Sequence, residues 1–250
     1  MIEVLWLPGT GFSSGPDGIS ETLGRALDPA RFRFRALRYP ASYGGLELAY
    51  TDSRKIGRHH LLEGIAHSPG PVVIGGYSQG AGIAGDLAAE LTDGTVLVDG
   101  QVIGCALISD PARPAGAGMP GRPVAPGYGI VGARAIPTRF EHQDIPTWWA
   151  AAEGDPITAL PAGNPLRTLA DATEYFSLRS PGDAYRWMES LADRCRRNAW
   201  QRWWSPANWA TWGGAMAFAR GYLWDGRHTT DYLVHGHAQA LADVVNREVR

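Results

Sequence analysis

Ser78 lies between two glycines in the stretch GYSQG, residues 76–80, shortly after the apolar run PVVI. The apolar run predicts a buried strand, and small and apolar residues at helical spacing predict that a helix begins at Gln79. A sharp turn from a strand into a helix exposes a serine hydroxyl above the sheet and places backbone amides beside it. Gly76 and Gly80 suit such a strained turn, because side chains at these positions would clash across it. We therefore predict that Ser78 is a catalytic nucleophile; a plain glycine-rich turn is the alternative.

A serine hydroxyl is a poor nucleophile unless a base accepts its proton and an acid orients that base. In the α/β-hydrolase arrangement the acid and then the histidine follow the serine along the chain, so the base is expected late in the sequence. Three late histidines are present in GRHTTDYLVHGHAQAL, namely His228, His235 and His237. We favour His228, which lies in a loop after the turn-like DGR. His235 and His237 stay open as alternatives, and as solvated loop residues.

Two aspartates end predicted strands and are candidates for the orienting acid. Asp155 lies in WWAAAEGDPIT and Asp110 in ALISDPARP. The carboxyl ends of strands are where loops carry catalytic groups in α/β sheets. We favour Asp155, because the acid of this arrangement usually follows a strand further from the one that carries the nucleophile. The other aspartate would then cap a loop.

The tetrahedral intermediate of acyl transfer needs backbone donors aimed at its oxyanion. We predict the amide of Gln79, directly after the nucleophile, and the amide of Thr10 in the stretch LPGTGF. A plain glycine turn after the first strand is the alternative for the second position. We expect no metal and no organic cofactor, since the His-x-His pair at 235–237 lacks a matching set of acidic or cysteine ligands.

Strands alternate with helices along the chain, which predicts a mostly parallel sheet covered on both faces, a three-layer α/β sandwich. The predicted strands are at 2–7, 32–37, 71–76, 101–109 and 145–155. Predicted helices lie at 53–67, from Gln79 onward and at 237–249, and the Pro- and Gly-rich residues 110–140 predict a long ordered loop.

The residues from 166 to 224 predict a helical insertion in this core, which would consist of 1–165 and 225–250. Helical patterns cover 166–178, 183–204 and 205–224, and seven of the ten tryptophans lie between Trp187 and Trp224. These tryptophans have two open interpretations: an apolar substrate groove, or the insertion's own core.

The motif GYSQGA around Ser78 is similar to the nucleophile motif of cutinases and of the lysin B enzymes of mycobacteriophages and related actinophages. The stretch PGTG resembles the HGTG of lysin B proteins, with Pro8 in place of the histidine. The stretch HTTDY, from His228 to Tyr232, resembles their closing H-x-x-x-Y pattern. Cutinases lack the helical insertion and carry disulfides, so the resemblance favours lysin B within the cutinase-like α/β-hydrolase fold.

This resemblance implies a mycolylarabinogalactan esterase, which hydrolyses the ester between mycolic acids and arabinogalactan during phage lysis. The implied partner is a lipid ester of the cell envelope, and we expect a monomer. We further expect a protein made in the host cytoplasm without a signal peptide, which acts at the envelope after release. A broader cutinase- or lipase-like carboxylesterase, an acyltransferase and a non-catalytic envelope-binding module stay open as alternatives.

The composition argues against several other classes of protein. With 23 basic and 25 acidic residues the formal charge is −2, which removes the main electrostatic argument for nucleic acid as a partner. No apolar run approaches the ~18 residues of a membrane-spanning helix. Cys105 is expected in a buried strand and lies far along the chain from Cys195, so we predict no disulfide.

Overall fold

The computed structural model describes residues 1–135, 144–200, 220 and 225–250. Within these residues, five strands form one sheet in the order β2-β1-β3-β4-β5, and every neighbouring pair is parallel. The strands are β1 (Ile2–Leu7), β2 (Phe32–Ala36), β3 (Val72–Tyr77), β4 (Val102–Ile108) and β5 (Thr147–Ala150). The predicted parallel sheet is confirmed.

Helices cover both faces of this sheet. The described helices are α1 (Gly18–Ala26), α2 (Tyr50–Ala66), α3 (Gln79–Asp93), α4 (Leu166–Thr173), α5 (Pro181–Arg197), α6 (Thr230–Val234) and α7 (His237–Glu248). Helices α2 and α3 pack on one face, and α1, α6 and α7 pack on the other. The predicted three-layer sandwich is therefore confirmed.

The core forms because strand side chains alternate between the two faces of a sheet. Along β1, Val4 and Trp6 join the apolar cluster under α1 and α7, whereas Leu5 and Leu7 join the cluster under α2 and α3. All four side chains are almost completely buried. A strand that is buried on both faces has apolar residues at almost every position of its sequence. The run IEVLWL therefore predicted β1 correctly.

The structure differs from the sequence prediction at several elements. Strand β5 ends at Ala150 rather than continuing to 155, and the Ala152 amide donates to the Tyr232 hydroxyl instead of to a neighbouring strand. Helix α2 begins at Tyr50, three residues before the predicted start at 53. Helix α1 was not predicted at all, although Asp17 caps it by accepting a hydrogen bond from the Ser20 amide at 2.8 Å.

Residues 110–135 contain no helix or strand, which agrees with the predicted loop. Two buried arginines order this region by donating to backbone carbonyls. Arg113 donates to the carbonyls of Thr158 and Ala117, at 2.8 and 2.7 Å. Arg167, on α4, donates to the carbonyls of Tyr128 and Leu160 and thereby joins α4 to the loop.

The helical insertion is described only in part. The 166–178 prediction corresponds to α4, and the 183–204 prediction overlaps α5. Trp187 on α5 donates from its indole nitrogen to the Ala172 carbonyl at 2.8 Å and packs edge-on against Phe176. The helix predicted at 205–224 lies outside the described residues except for residue 220. The division into a core and an insertion stays a prediction.

Candidate active site

The chain turns at Ser78 from the end of β3 directly into the start of α3. Ser78 has φ 54° and ψ −115°, a conformation that is strained for a residue with a side chain. A Cβ atom on Gly76 would lie 2.3 Å from the carbonyl carbon of Gly80, and one on Gly80 would lie 2.1 Å from the Leu7 oxygen. The predicted strand–serine–helix turn is therefore present, and both glycines are required by close backbone approach.

The structure brings Ser78, His228 and Asp155 into one hydrogen-bonded series. The Nε2 atom of His228 lies 3.0 Å from the Ser78 Oγ atom. On the other side of the ring, His228 Nδ1 lies 3.1 and 3.2 Å from the two carboxylate oxygens of Asp155. The Tyr77 ring stacks on the imidazole, with ring centroids 5.2 Å apart, and the Tyr77 hydroxyl donates to the His228 carbonyl at 2.5 Å.

Asp155 is completely buried, and several donors compensate its charge. Besides His228, its oxygens accept hydrogen bonds from the Ser109 hydroxyl at 2.5 Å, the Tyr232 hydroxyl at 2.6 Å and the Ile157 amide at 3.0 Å. Burial alone would raise the pKa of Asp155, but the charge of His228 and the hydrogen bonds outweigh it and hold that pKa below its usual range. The carboxylate is therefore ionised and acts as an acceptor.

Two residues of this site, Ser109 and Tyr232, were not predicted as members of it. Ser109 follows β4 and is completely buried, and its Oγ lies 3.1 Å from His228 Nδ1. Burial and the neighbouring Asp155 charge raise the pKa of Tyr232 well above its usual value, so its hydroxyl keeps its proton. The sequence offered one signal for each: Ser109 ends a strand, and Tyr232 closes the H-x-x-x-Y pattern.

The alternative acid and bases occupy other environments. Asp110 pairs with the Arg134 guanidinium at 2.5 Å and accepts from the Trp149 indole nitrogen at 3.0 Å. His235 is more than half exposed, with Asp231 at 3.8 Å as its nearest acidic partner. Burial, with the nearby positive Arg122, lowers the pKa of His237. In the described part of the chain none of the three hydrogen-bonds to Ser78, Asp155 or His228.

The two predicted oxyanion donors flank the nucleophile. Gln79 is the first residue of α3, where backbone amides have no acceptor within the helix. Its side chain is fixed by the Ser42 carbonyl and the Ser53 hydroxyl, at 2.9 and 3.1 Å. Thr10 lines the same cavity as Ser78, and no described acceptor pairs with its amide. The oxyanion role of these two amides stays a prediction.

A cavity of about 440 Å³ opens at Ser78, and its walls are mostly apolar. One wall is α4, and another is the loop that Arg167 holds. The lining residues are Thr10, Tyr43, Tyr50, Ser78, Gln79, Pro111, Ile130, Val131, Pro156, Ile157, Leu166, Leu169, Ala170 and Thr173. Neither Trp187 nor Trp200 belongs to this lining, and the other five tryptophans of the insertion lie outside the described residues.

The described residues contain neither a metal-binding cluster nor a membrane-spanning helix. No cluster of three or more histidine, cysteine or acidic side chains capable of holding a metal ion occurs among them. No described helix combines the length and apolar character needed to cross a membrane.

The family model described as "Alpha/beta hydrolase family" matches residues 4–249. The match spans almost the whole chain, and the chain therefore belongs to the α/β-hydrolase family. No curated protein sequence matches it.

Three solved structures are similar to this chain at low sequence identity. The crystal structure of lysin B from Mycobacteriophage D29 is similar, with 16% identity and a TM-score of 0.57 over 96% of this chain and 98% of that chain. The catalytic core domain of acetyl xylan esterase from Trichoderma reesei has 21% identity and a TM-score of 0.47, over 77% and 97% of the two chains. A cutinase-like protein from Cryptococcus sp. has 15% identity and a TM-score of 0.45, over 76% and 91%. At 16% identity the likeness to lysin B shows the fold alone.

The two candidate acids are separated by the substitutions Asp155→Asn and Asp110→Asn. We expect Asp155→Asn to slow the reaction of Ser78 with a fluorophosphonate by about 10³-fold, because an amide favours the wrong tautomer of His228. Asp110→Asn should react at the wild-type rate but lower the free energy of unfolding by about 3 kcal/mol, because Arg134 loses a buried charge partner. Labelling rates by mass spectrometry and urea unfolding measure the two effects.

Thermal unfolding of Asp155→Asn serves as the control, since a misfolded protein would also react slowly. Slow labelling of Asp110→Asn together with fast labelling of Asp155→Asn would reverse the assignment of the acid.

Proposed function

We propose that this protein is a serine carboxylesterase with Ser78 as nucleophile, His228 as base and Asp155 as orienting acid. The observation that carries the proposal is the hydrogen-bonded series from Ser78 through His228 to Asp155, at 3.0 and 3.1 Å, at the end of an apolar cavity. Membership of the α/β-hydrolase family supports the same chemistry. Ser109 is a poorer nucleophile candidate, because it is completely buried and lies beside Nδ1 of the histidine.

Acylation begins when Ser78 Oγ attacks the ester carbonyl carbon while His228 Nε2 accepts the hydroxyl proton. The carbonyl electrons move to the oxygen, and the amides of Gln79 and Thr10 stabilise the negative charge that develops there. The imidazolium, stabilised by the Asp155 carboxylate, then donates its proton to the departing alkoxide oxygen. An acyl-enzyme on Ser78 and a free alcohol result.

Deacylation repeats these steps with water as the nucleophile. His228 Nε2 removes a proton from the water as the water oxygen attacks the acyl carbon, and the same two amides hold the second oxyanion. Collapse of the intermediate breaks the bond to Ser78 Oγ, which takes the proton back from His228. The products are a carboxylic acid and the restored enzyme.

The apolar cavity supports an acyl group with a hydrocarbon chain. Its walls include Leu166, Leu169 and Ala170 of α4 and, from other segments, Ile130 and Ile157. Apolar surface transferred from water gains roughly 25 cal/mol per Å², so each methylene that enters the cavity favours binding. An acetyl group alone would leave most of the 440 Å³ unused.

The natural substrate we propose is a lipid ester of a mycobacterial-type cell envelope, the mycolyl ester of arabinogalactan. The apolar cavity and the likeness of fold to a lysin B along 96% of the chain support this proposal. The proposal includes a role of the protein at the host envelope during phage lysis. A general cutinase- or lipase-like esterase would share the chemistry but act on shorter or unrelated acyl groups.

The substitution Ser78→Ala tests the proposed chemistry. We expect the wild type to hydrolyse p-nitrophenyl esters and Ser78→Ala to lose at least about 10⁴-fold in kcat, because the covalent step is removed. The release of p-nitrophenol from butyrate, octanoate and decanoate esters measures the rates. Equal rates in the two proteins would contradict the proposal, and a mycolyl-arabinogalactan substrate in the same assay would separate an envelope esterase from a general one.

The substitution Leu169→Asp tests the role of the cavity. Leu169 is 58% exposed and lines the cavity, so a charge there should raise KM for the decanoate ester about tenfold and leave the butyrate ester almost unchanged. Leu178→Asp is a matched control, because Leu178 is 51% exposed and lies outside the lining. An equal effect of the two substitutions on the decanoate ester would show that the acyl chain lies elsewhere.

A further inference from the structure

The carboxylate of Asp155 is surrounded by more hydrogen-bond donors than an orienting acid needs. One oxygen, Oδ1, accepts from the Ile157 amide and from His228, whereas Oδ2 accepts from the hydroxyls of Ser109 and Tyr232. These two hydroxyls are the shortest contacts of the carboxylate, at 2.5 and 2.6 Å. Hydrogen bonds to an ionised acceptor are shorter and stronger than those between neutral groups.

Ser109 reaches this position through a strained backbone. It has φ 53°, nearly the same as the 54° of Ser78 at the end of the neighbouring strand. Its amide donates to the Ala150 carbonyl at 3.0 Å, which ties the turn after β4 to the last residue of β5. A non-glycine residue with positive φ costs free energy and is maintained where the surrounding structure requires it.

The hydroxyl of Tyr232 has its only proton directed at Asp155. The Ala152 amide donates to the same tyrosine oxygen at 3.1 Å, so that oxygen is an acceptor on one side and a donor on the other. Tyr232 lies on α6, four positions after His228. Its hydrogen bond thus connects the acid directly to the segment that carries the base.

The hydroxyl of Ser109 sets the orientation of the histidine proton. Its single proton goes to Asp155 Oδ2 at 2.5 Å, which leaves the Ser109 oxygen as an acceptor toward His228 Nδ1 at 3.1 Å. The Nδ1 proton of His228 therefore faces three oxygen atoms, two from Asp155 and one from Ser109. In this tautomer Nε2 has no proton and faces Ser78.

We infer that Ser109 and Tyr232 are positioning residues of the site: their hydroxyls keep Asp155 ionised and hold His228 in the tautomer whose Nε2 atom accepts the Ser78 proton. This inference rests on the proposed function, since it concerns how that same site works. Neither residue lines the cavity, so both act through Asp155 and His228 rather than on the substrate.

The substitutions Ser109→Ala, Tyr232→Phe and their combination test the inference with a p-nitrophenyl octanoate assay. We expect Ser109→Ala to lower kcat about tenfold, the effect of one hydrogen bond to a charged group, and to leave KM unchanged. The acid limb of kcat/KM should move to higher pH by about half a unit, because an Asp155 carboxylate that has lost a donor stabilises the protonated form of His228 more strongly. Tyr232→Phe should change both quantities in the same direction, and the double variant should change them further.

Ser68→Ala is a matched control, because Ser68 lies near the amino ends of the strands, whereas the site lies at their carboxyl ends. Ser68 also donates from its hydroxyl to a carboxylate, Glu3, at 2.7 Å. We expect this variant to keep the wild-type kcat and pH profile. Titration of active sites with a fluorophosphonate in every variant corrects kcat for any protein that has not folded.

The possible outcomes are distinct. If Ser109→Ala keeps both the wild-type kcat per titrated site and the wild-type acid limb, the inference is overturned. The proposed function still stands in that case if Ser78→Ala loses its activity. Hydrolysis by Ser78→Ala at the wild-type rate would overturn both. Where Ser109→Ala does not fold, Tyr232→Phe decides alone, and an unchanged kcat and acid limb in that variant would overturn the inference.

Discussion

The turn at Ser78 is the constraint on which the rest of the site depends. Its backbone is strained, and two close approaches fix it: Gly80 against the Leu7 carbonyl of β1, and Gly76 against Gly80 itself. Helix α3 packs so closely on β1 and on the end of β3 that neither glycine could accept a side chain without movement of the backbone. The strain is maintained by the buried parallel sheet on both sides, and it places Ser78 in the lining of the cavity.

The parallel order of the sheet explains why the other groups meet there. Strands β3, β4 and β5 are neighbours, and the residues that follow them supply Ser78, Ser109 and Asp155 in turn. Carboxyl ends of parallel strands lie at one edge, which is where ligands bind in open α/β sheets. The buried charge of Asp155 requires compensation. Donors from β4, from the β5 loop and from α6 provide that compensation, so the acid joins three separate segments to the histidine.

Much of the fold and part of the site could be predicted from local sequence. Continuous apolar runs and glycine positions indicated β1, β3 and the turn at Ser78, and strand ends indicated Asp155. The role of Ser109 could not be predicted, because a positive φ and a contact between distant segments leave no local pattern. The cavity wall escaped prediction for the same reason, since Arg167 joins α4 to a loop about 40 residues earlier in the chain. Tryptophan content left a groove in the later part of the insertion open as one interpretation, and the described cavity is lined by α4 and the loop.

The most direct measurement of the central claim is a crystal structure of the protein after reaction with the p-nitrophenyl ester of a decylphosphonate. We predict a covalent bond from phosphorus to Ser78 Oγ, with the phosphonyl oxygen about 3 Å from the amide nitrogens of Gln79 and Thr10. The decyl chain should lie in the cavity between Leu169 and Ile157. An adduct on Ser109 or on another residue, or a decyl chain outside this cavity, would contradict the claim.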